Sequence, residues 1–331
     1  MIVDRDALTM PPLQVGSIAT IGNFDGIHRG QQHILELIRN RAGETGLESV
    51  VVTFEPHPLT ILRPQEAPNR LTTFDQKGAL LELHGVDRLS IVQFTPAVAQ
   101  TPARSFVRDF LHHRLKVQEI YVGSRFTFGR DREGDLSLLQ TMGETFGFRA
   151  FGLEEVLYQD GAISSTRIRQ ELTGGGVEAA HKMLGRPYSI TGLVARGDKR
   201  GKQLGWPTIN IAPDTRPSVM DGVYACKVRF PSTDEKFLCA TNVGTRPTVY
   251  EGVRRLVESH ILEFERDVYG DRIELEFYAR LRNERRFPSL EALSEQISMD
   301  VEATREYFRA SDCYQNESGL SNLCEAGKLE K

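Results

Sequence analysis

The chain has 331 residues, 40% hydrophobic and 26% charged, with a formal net charge of −4 and a pI near 6.1. That length predicts about two domains, and the charge balance gives no global attraction to nucleic acid or an anionic membrane, so a phosphate ligand must be held by local groups. No apolar run of ~18 residues marks a transmembrane helix, and the start MIVDRDALTMPP lacks the apolar core of a secretory signal. The four cysteines (Cys226, Cys239, Cys313 and Cys324) show no C-x-x-C pairing, which suits a reduced, cytoplasmic compartment.

Ser17 to Ile21 reads as a short buried strand, and Ile34, Leu35, Leu37 and Ile38 give the spacing of a helix with one buried face. Between them lies GNFDGIHRGQ, Gly22 to Gln31. A strand, a Gly-rich turn and a helix start present free backbone N–H groups and a positive dipole end to an anion. Gly22, Gly26 and Gly30 let a ligand approach the backbone, flanked by Asn23 and Phe24, while Asp25 and His28 put polar chemistry at the turn. It is neither a Walker loop nor a G-x-G-x-x-G fingerprint. The same residues also read as an ordinary turn with a capping Asp and a solvated His.

Strands are predicted at Ser49–Phe54, Leu89–Phe94 and Glu119–Val122 and helices at Phe74–His84 and from Thr101-Pro102, with Thr101 as N-cap and Phe106, Val107, Phe110 and Leu111 inward. This alternation predicts a parallel, Rossmann-like sheet, α/β in class, with ligands beyond the carboxyl ends of its strands. Three more stretches fall at that edge: TFEPHP (Thr53 to Pro58), VGSRFTFG (Val122 to Gly129) and ISSTRIR (Ile163 to Arg169). In the last, Ser164, Ser165 and Thr166 can cap and donate, and Arg167 and Arg169 can neutralise phosphate.

After Arg186-Pro187 the chain becomes short β runs separated by Gly, Pro and Asp, which predicts a small antiparallel barrel or sandwich. Leu290, Leu293, Ile297, Val301, Thr304 and Phe308 step as a closing helix, and the Ser/Asn/Glu-rich segment from Ser311 reads as a disordered tail. The predicted division is 1–184, 185–310 and a tail at 311–331. GDKRGKQLGWPTIN (Gly197 to Asn210) carries Lys199, Arg200 and Lys202 and suits phosphate wrapping. The Thr208 hydroxyl and the Asn210 amide oxygen are hard ligands for Mg²⁺. Glu258 can project from a strand into a pocket and take a proton from an alcohol, or be an ordinary exposed strand Glu.

The order of these motifs resembles the bacterial bifunctional riboflavin kinase/FAD synthetase family over roughly Ile18 to Phe308. GNFDGIHRG looks like the family's nucleotidylyltransferase His-x-Gly-His loop. TFEPHP, the F-x-F-G of Phe126 to Gly129, and ISSTRIR resemble its other adenylyltransferase motifs. LGRPYSITG, GDKRGKQLGWPTIN, NVGTRPT, VESHIL and LRNERRFPSLEAL resemble its kinase domain, with Ile209 replacing Ala in Pro-Thr-Ala-Asn.

The resemblance implies phosphorylation of riboflavin to FMN in the barrel. Thr208 and Asn210 would hold Mg-ATP with help from Gly197 and Lys202, and Glu258 would be the base. It also implies adenylylation of FMN to FAD in the first domain. There His28, with Gly22 to Gly26, Gln31, Ser164, Ser165, Thr166 and Arg169, would hold ATP, and Pro56, His57, Pro58, Arg125, Phe126, Phe128 and Gly129 would meet the flavin. The partners implied are ATP, riboflavin and FMN, with Mg²⁺ accompanying ATP and flavins as substrate and product. No nucleic acid or membrane is implied, and a homo-oligomer is left open.

Two positions depart from the pattern. Gln31 stands for the second His of the loop; losing a charge-assisted contact there would cost on the order of 1–3 kcal/mol, one to two decades in rate. Arg125 stands where Asn or Asp is usual. These departures motivate an alternative, a riboflavin kinase whose first domain is a weak or non-catalytic flavin- or nucleotide-binding module. A nucleotide-binding regulator without chemistry is a third reading.

Overall fold

In the computed structural model, which describes residues 1–196, 205–248 and 252–318, six strands form one parallel sheet. They are β1 (Ile2–Asp4), β2 (Ser17–Ile21), β3 (Glu48–Glu55), β4 (Arg88–Gln93), β5 (Val117–Gly123) and β6 (Arg149–Leu153), in the order β1-β4-β3-β2-β5-β6. β3 shows why the strands read as apolar runs: Val50 and Val52 pack into one core cluster and Val51 into another, so both faces are covered. β2 pairs with β3 on one side and β5 on the other. The chain therefore reverses direction across the sheet at β2, and the turns leaving β2 and β5 open the crevice where doubly wound sheets bind ligands.

Helix α1 (Arg29–Thr45) follows β2, buries Leu35, Ile38 and Ala42, and ends where the Gly46 N–H donates to Ala42 O. Then come α2 (Pro58–Leu62), α3 (Phe74–Leu83), which starts in a Thr73–Gln76 capping box, and α4 (Pro96–Ala99). Helix α5 (Ala103–Ser105) runs into a π-helical turn, Phe106–His112, whose Phe106, Val107, Phe110 and Leu111 are buried as their spacing predicted. Thr101 is not its cap. Its carbonyl accepts from Arg130 N–H (2.9 Å), and the Ala103 N–H donates to Glu133 Oε1 (2.8 Å), so the start is held by residues distant in sequence. Helix α6 (Leu136–Phe146) precedes β6, and a short hairpin, β7 (Leu157–Tyr158) and β8 (Gly161–Ala162), leads to α7 (Ser165–Gly174) and α8 (Val177–Leu184).

The chain divides into two compact units. One is Met1–Ile168 with Lys182–Gly185; the other is Arg169–His181 with Arg186–Lys331. In the second unit the predicted β runs become the six strands of a closed antiparallel barrel. They are β9 (Tyr188–Ala195), β10 (Ile209–Pro213), β11 (Gly222–Phe230), β12 (Glu235–Thr248), β13 (Gly252–Ile261) and β14 (Arg272–Arg282), with β10 pairing β9 to close the ring. Closure removes the exposed edges of a sandwich.

Helix α9 (Leu290–Ser318) packs on the barrel through Ile297, Val301 and Phe308. The Arg282 guanidinium anchors it with bonds of 2.8 and 2.7 Å to the two oxygens of buried Asp300. The helix runs through Ser318, past the Ser311 point where a disordered tail is expected, because no Gly or Pro interrupts it before Gly319. Residues 319–331 lie outside the described residues.

One buried carboxylate ties α1 to the sheet. Glu119 on β5 accepts from Arg41 Nε (3.1 Å), Arg41 Nη2 (2.8 Å) and the Tyr121 hydroxyl (2.6 Å), and also meets Arg149. The Arg41 hydrogen bonds above all hold its pKa well below the usual carboxylate range, at about 2. A depressed carboxylate stabilises the fold above its unfolded pKa, and that contribution is lost as pH falls through the folded one. Glu119→Gln is therefore expected to cost on the order of 2 kcal/mol at pH 6 and progressively less toward pH 2. Denaturant melts at the two pH values check this; an equal loss at both would contradict it.

Candidate active sites

The turn leaving β2 is held in an unusual conformation. Phe24 and Ile27 have φ of 46° and 43°, in the left-handed region that apolar L-residues avoid, and both are buried. Gly26 sits at φ 94°, and a Cβ there would come within 2.9 Å of Leu71 Cδ1. Several bonds hold the turn. Asn23 O accepts from Lys77 Nζ (2.8 Å) and Thr53 Oγ1 (3.2 Å). The buried Asp25 carboxylate accepts from Leu71 N–H (2.9 Å) and Thr72 N–H (3.2 Å), and Gly26 N–H donates to Thr72 Oγ1 (3.2 Å). Asp25 is thus a brace between loops rather than a helix cap.

His28 is the N-cap of α1. Its Nδ1 accepts from Gln31 N–H (3.3 Å), while its own N–H donates to Gln31 Oε1 (3.2 Å), a reciprocal capping box. With Nδ1 accepting, the neutral ring carries its proton on Nε2, a donor suited to an anion. The departure at Gln31 thereby acquires a local reason: its side chain completes the cap.

The ISSTRIR stretch meets this turn. Ser165 Oγ donates to Asp25 O (2.7 Å), and a Cβ on Gly30 would lie 3.8 Å from Ile163 O. Ser164 Oγ accepts from Arg167 N–H (3.2 Å) as a cap for α7. The starts of α1 and α7 therefore converge, and their N–H groups and dipoles favour one anion site. Thr166 is exposed. Arg167 is engaged elsewhere, donating to Tyr158 O (2.9 Å) and Gly161 O (2.6 Å). Arg169 falls in the second unit.

His57, between Pro56 and Pro58, caps α2 by accepting from Leu59 N–H at Nδ1 (3.2 Å), which in the neutral ring leaves Nε2 as donor. Asn23 Nδ2 lies 3.1 Å from that Nε2, so the amide presents its oxygen there, an O/N exchange that leaves the shape unchanged. After β5, Arg125 is exposed and pairs with Glu155. The half-buried Phe126 ring stacks on Phe128 (5.5 Å). Phe128 is buried against Phe106, which makes it core rather than a ligand surface. Gly129, at φ 77°, is required by packing, since a Cβ would meet Ala103 Cβ at 2.6 Å.

In the barrel, the register pairs Asn210 with Glu258 across β10–β13 and Asn242 with Glu258 across β13–β12. Their neighbours Val257 and Ser259 are buried in the barrel, so Asn210, Glu258 and Asn242 form a row of oxygen-bearing groups on its outer, half-buried side. Glu258 therefore projects outward, not into the barrel interior. The approach to β10 is clamped. His260 Nδ1 lies 2.8 Å from Pro207 O, Trp206 packs edge-on to His260 (5.3 Å), and Trp206 Nε1 donates to Ser294 Oγ on α9 (2.9 Å).

Pro207, Thr208 and Ile209 line one wall of a cavity of about 440 Å³ whose other wall is Phe264 to Tyr269. There the Arg266 guanidinium lies over Phe264 (5.0 Å) and pairs with Glu235 (2.8 Å). Gly197 and Lys202 lie outside the described residues.

Sequence reasoning missed Lys77, Asn242 and the 264–269 wall. Lys77 left a trace, a lysine four residues before Leu81 on the buried face of α3. Because Gln31 completes the cap, Gln31→Ala is expected to destabilise the N-terminal unit by about 1 kcal/mol, read as a lowered denaturation midpoint. An unchanged midpoint would show that the capping box adds no stability.

Residues 11–167 match the family model described as FAD synthetase, and residues 184–308 the one described as riboflavin kinase. A bifunctional riboflavin kinase/FMN adenylyltransferase of Escherichia coli (strain K12) is 38% identical, over 89% of this chain and 94% of the relative. The Pseudomonas fluorescens protein of that name is 40% identical, over 91% and 96%. A crystal structure from Streptococcus pneumoniae, of a protein named as a macrolide-efflux protein, superposes with a TM-score of 0.82 at 29% identity, covering 92% of this chain and 98% of that one. With both modules in order and relatives matched over nearly their whole length, the chain belongs to the bifunctional riboflavin kinase/FMN adenylyltransferase family.

Proposed function

We infer that the chain phosphorylates riboflavin at its 5′-hydroxyl with ATP, giving FMN and ADP, and transfers AMP from a second ATP to FMN, giving FAD and pyrophosphate. The observation that carries this reading is that each unit gathers the motif residues of one reaction. The α1 and α7 starts meet at Asp25 in one unit, and Asn210 and Glu258 pair beside the Thr208 cavity in the other.

In the barrel, Glu258 takes the proton of the riboflavin hydroxyl as its oxygen attacks the γ-phosphorus of ATP and the bond to the β-phosphate oxygen breaks. The Thr208 hydroxyl and Asn210 amide oxygen are neutral hard donors, a set that fits Mg²⁺ shared with phosphate oxygens. Bound there, Mg²⁺ supplies charge neutralisation of the phosphates. The nearby cavity, lined by apolar residues such as Ile209, Ile261 and Phe264 and by the polar Thr208, Glu265 and Arg266, has room for the nucleoside end of ATP.

In the N-terminal unit the nucleophile is the FMN phosphate, already an anion, so positioning and charge neutralisation replace a base. His28 donates from Nε2 to the ATP phosphates, and the N–H groups at the starts of α1 and α7 support them. Phe126 and the His57 segment border the flavin side. The match to both family models and to relatives named for both activities does not favour the weak or non-catalytic alternative.

Glu258→Ala is expected to lower FMN formation from riboflavin by about 10²-fold or more, while FAD formation from supplied FMN continues. Chromatography of the two product sets checks this, and a parallel loss of both would assign Glu258 a structural role.

A further inference from the structure

A lysine buried at a carboxyl-end crevice calls for an explanation that packing does not supply. Lys77 is 6% exposed and sits on the inward face of α3 with Leu81, where an apolar side chain would pack without desolvating a charge. Its ammonium donates to Asn23 O (2.8 Å) and Thr53 Oγ1 (3.3 Å), both neutral groups. Asn23 O also accepts from Thr53 Oγ1, so this carbonyl does not need Lys77 for its hydrogen bonding.

Charged groups face it from three directions: Asp25 from the turn after β2, Glu55 from the end of β3, and Arg70 from the segment before α3. Glu55 is tied to Arg70 (2.5 Å), and Asp25 is braced by the Leu71 and Thr72 N–H groups. Burial pushes the Lys77 pKa down, and Arg70 adds to that, while Glu55 and Asp25 oppose it without cancelling it.

We propose that Lys77 is a positioning residue of the adenylyl-transfer site, its ammonium holding the Asn23 carbonyl so that the Phe24–His28 turn faces the ATP phosphates, and placing a buried positive charge behind them. The proposal rests on the adenylyltransferase reading of the N-terminal unit. Lys77 touches no phosphate; it acts through the turn and through its field, which is weakly screened because the ammonium is buried. A triphosphate arriving at the turn meets a charge already fixed in place, at a standing cost in stability to the empty protein.

The test uses the full chain and compares wild type with Lys77→Met and Lys77→Arg. It reads the KM for ATP and kcat in FAD formation from FMN, thermal melting, and FMN formation from riboflavin as a control in the other unit. Lys77→Met is expected to melt at or above wild type and to keep riboflavin phosphorylation within about twofold, while its ATP KM in FAD formation rises about tenfold and its FMN KM stays near wild type. Lys77→Arg, which keeps the charge, recovers most of the ATP KM.

A lower melting temperature with unchanged ATP KM would make Lys77 a structural residue and overturn the proposal. Equal ATP KM values in the Met and Arg variants would overturn its charge component. Should Lys77→Met not fold, Lys77→Gln reads the same KM, and an unchanged value there overturns the proposal too. Wild type that makes no FAD from FMN would instead overturn the adenylyltransferase reading, and this proposal with it.

Discussion

The N-terminal unit depends on keeping one turn in a conformation it would not adopt alone. Phe24 and Ile27 at positive φ each cost on the order of 1–2 kcal/mol. Burying the two side chains returns roughly 1.5–3 kcal/mol apiece, so the core that receives them offsets the strain. Bonds from α3, β3, the 71–72 segment and α7 then set the direction in which the turn's amides point. The parallel sheet places all of these at one edge, because β2 is where its strand order reverses. Fold, strain and site are one arrangement.

The barrel solves a different problem. Its interior is sealed by buried residues such as Cys226 and Cys239, whose thiols are free and face each other in register. Chemistry is therefore displaced to the outer face, where Asn210, Glu258 and Asn242 share a level. The Trp206–His260–Pro207 clamp fixes the chain entering β10, and with it Thr208 at the cavity wall. Closing the ring gives three separate strands a common register, and that register assembles the row.

What the sequence made legible was local. The helix start at His28 follows from a strand, a Gly-rich turn and an apolar periodicity, and the cap at Ser164 follows from its Ser-rich approach. The β character of the second half is visible because turn residues bracket its short apolar runs. Residues whose role depends on distant partners were not. Thr101 reads as a cap, yet Glu133 takes that role from thirty positions away. Phe128 and Gly129 read as a ligand loop, but the packing of Phe106 and Ala103 claims them. Asp25 looks like a helix cap until the 71–72 segment folds over it, and Asn242 joins Glu258 only once β12 and β13 pair. Gln31 stands where the resemblance expects a second His, and its part in a capping box shows only once the helix start is folded.

The central claim is that one chain carries two phosphate chemistries, each built from its own unit. Supplying riboflavin or FMN separately, with ATP and Mg²⁺, and resolving the products by chromatography tests it most directly. The account predicts FMN followed by FAD from riboflavin, and FAD with an equivalent of pyrophosphate from FMN. FMN formation from riboflavin without any FAD from supplied FMN would contradict it.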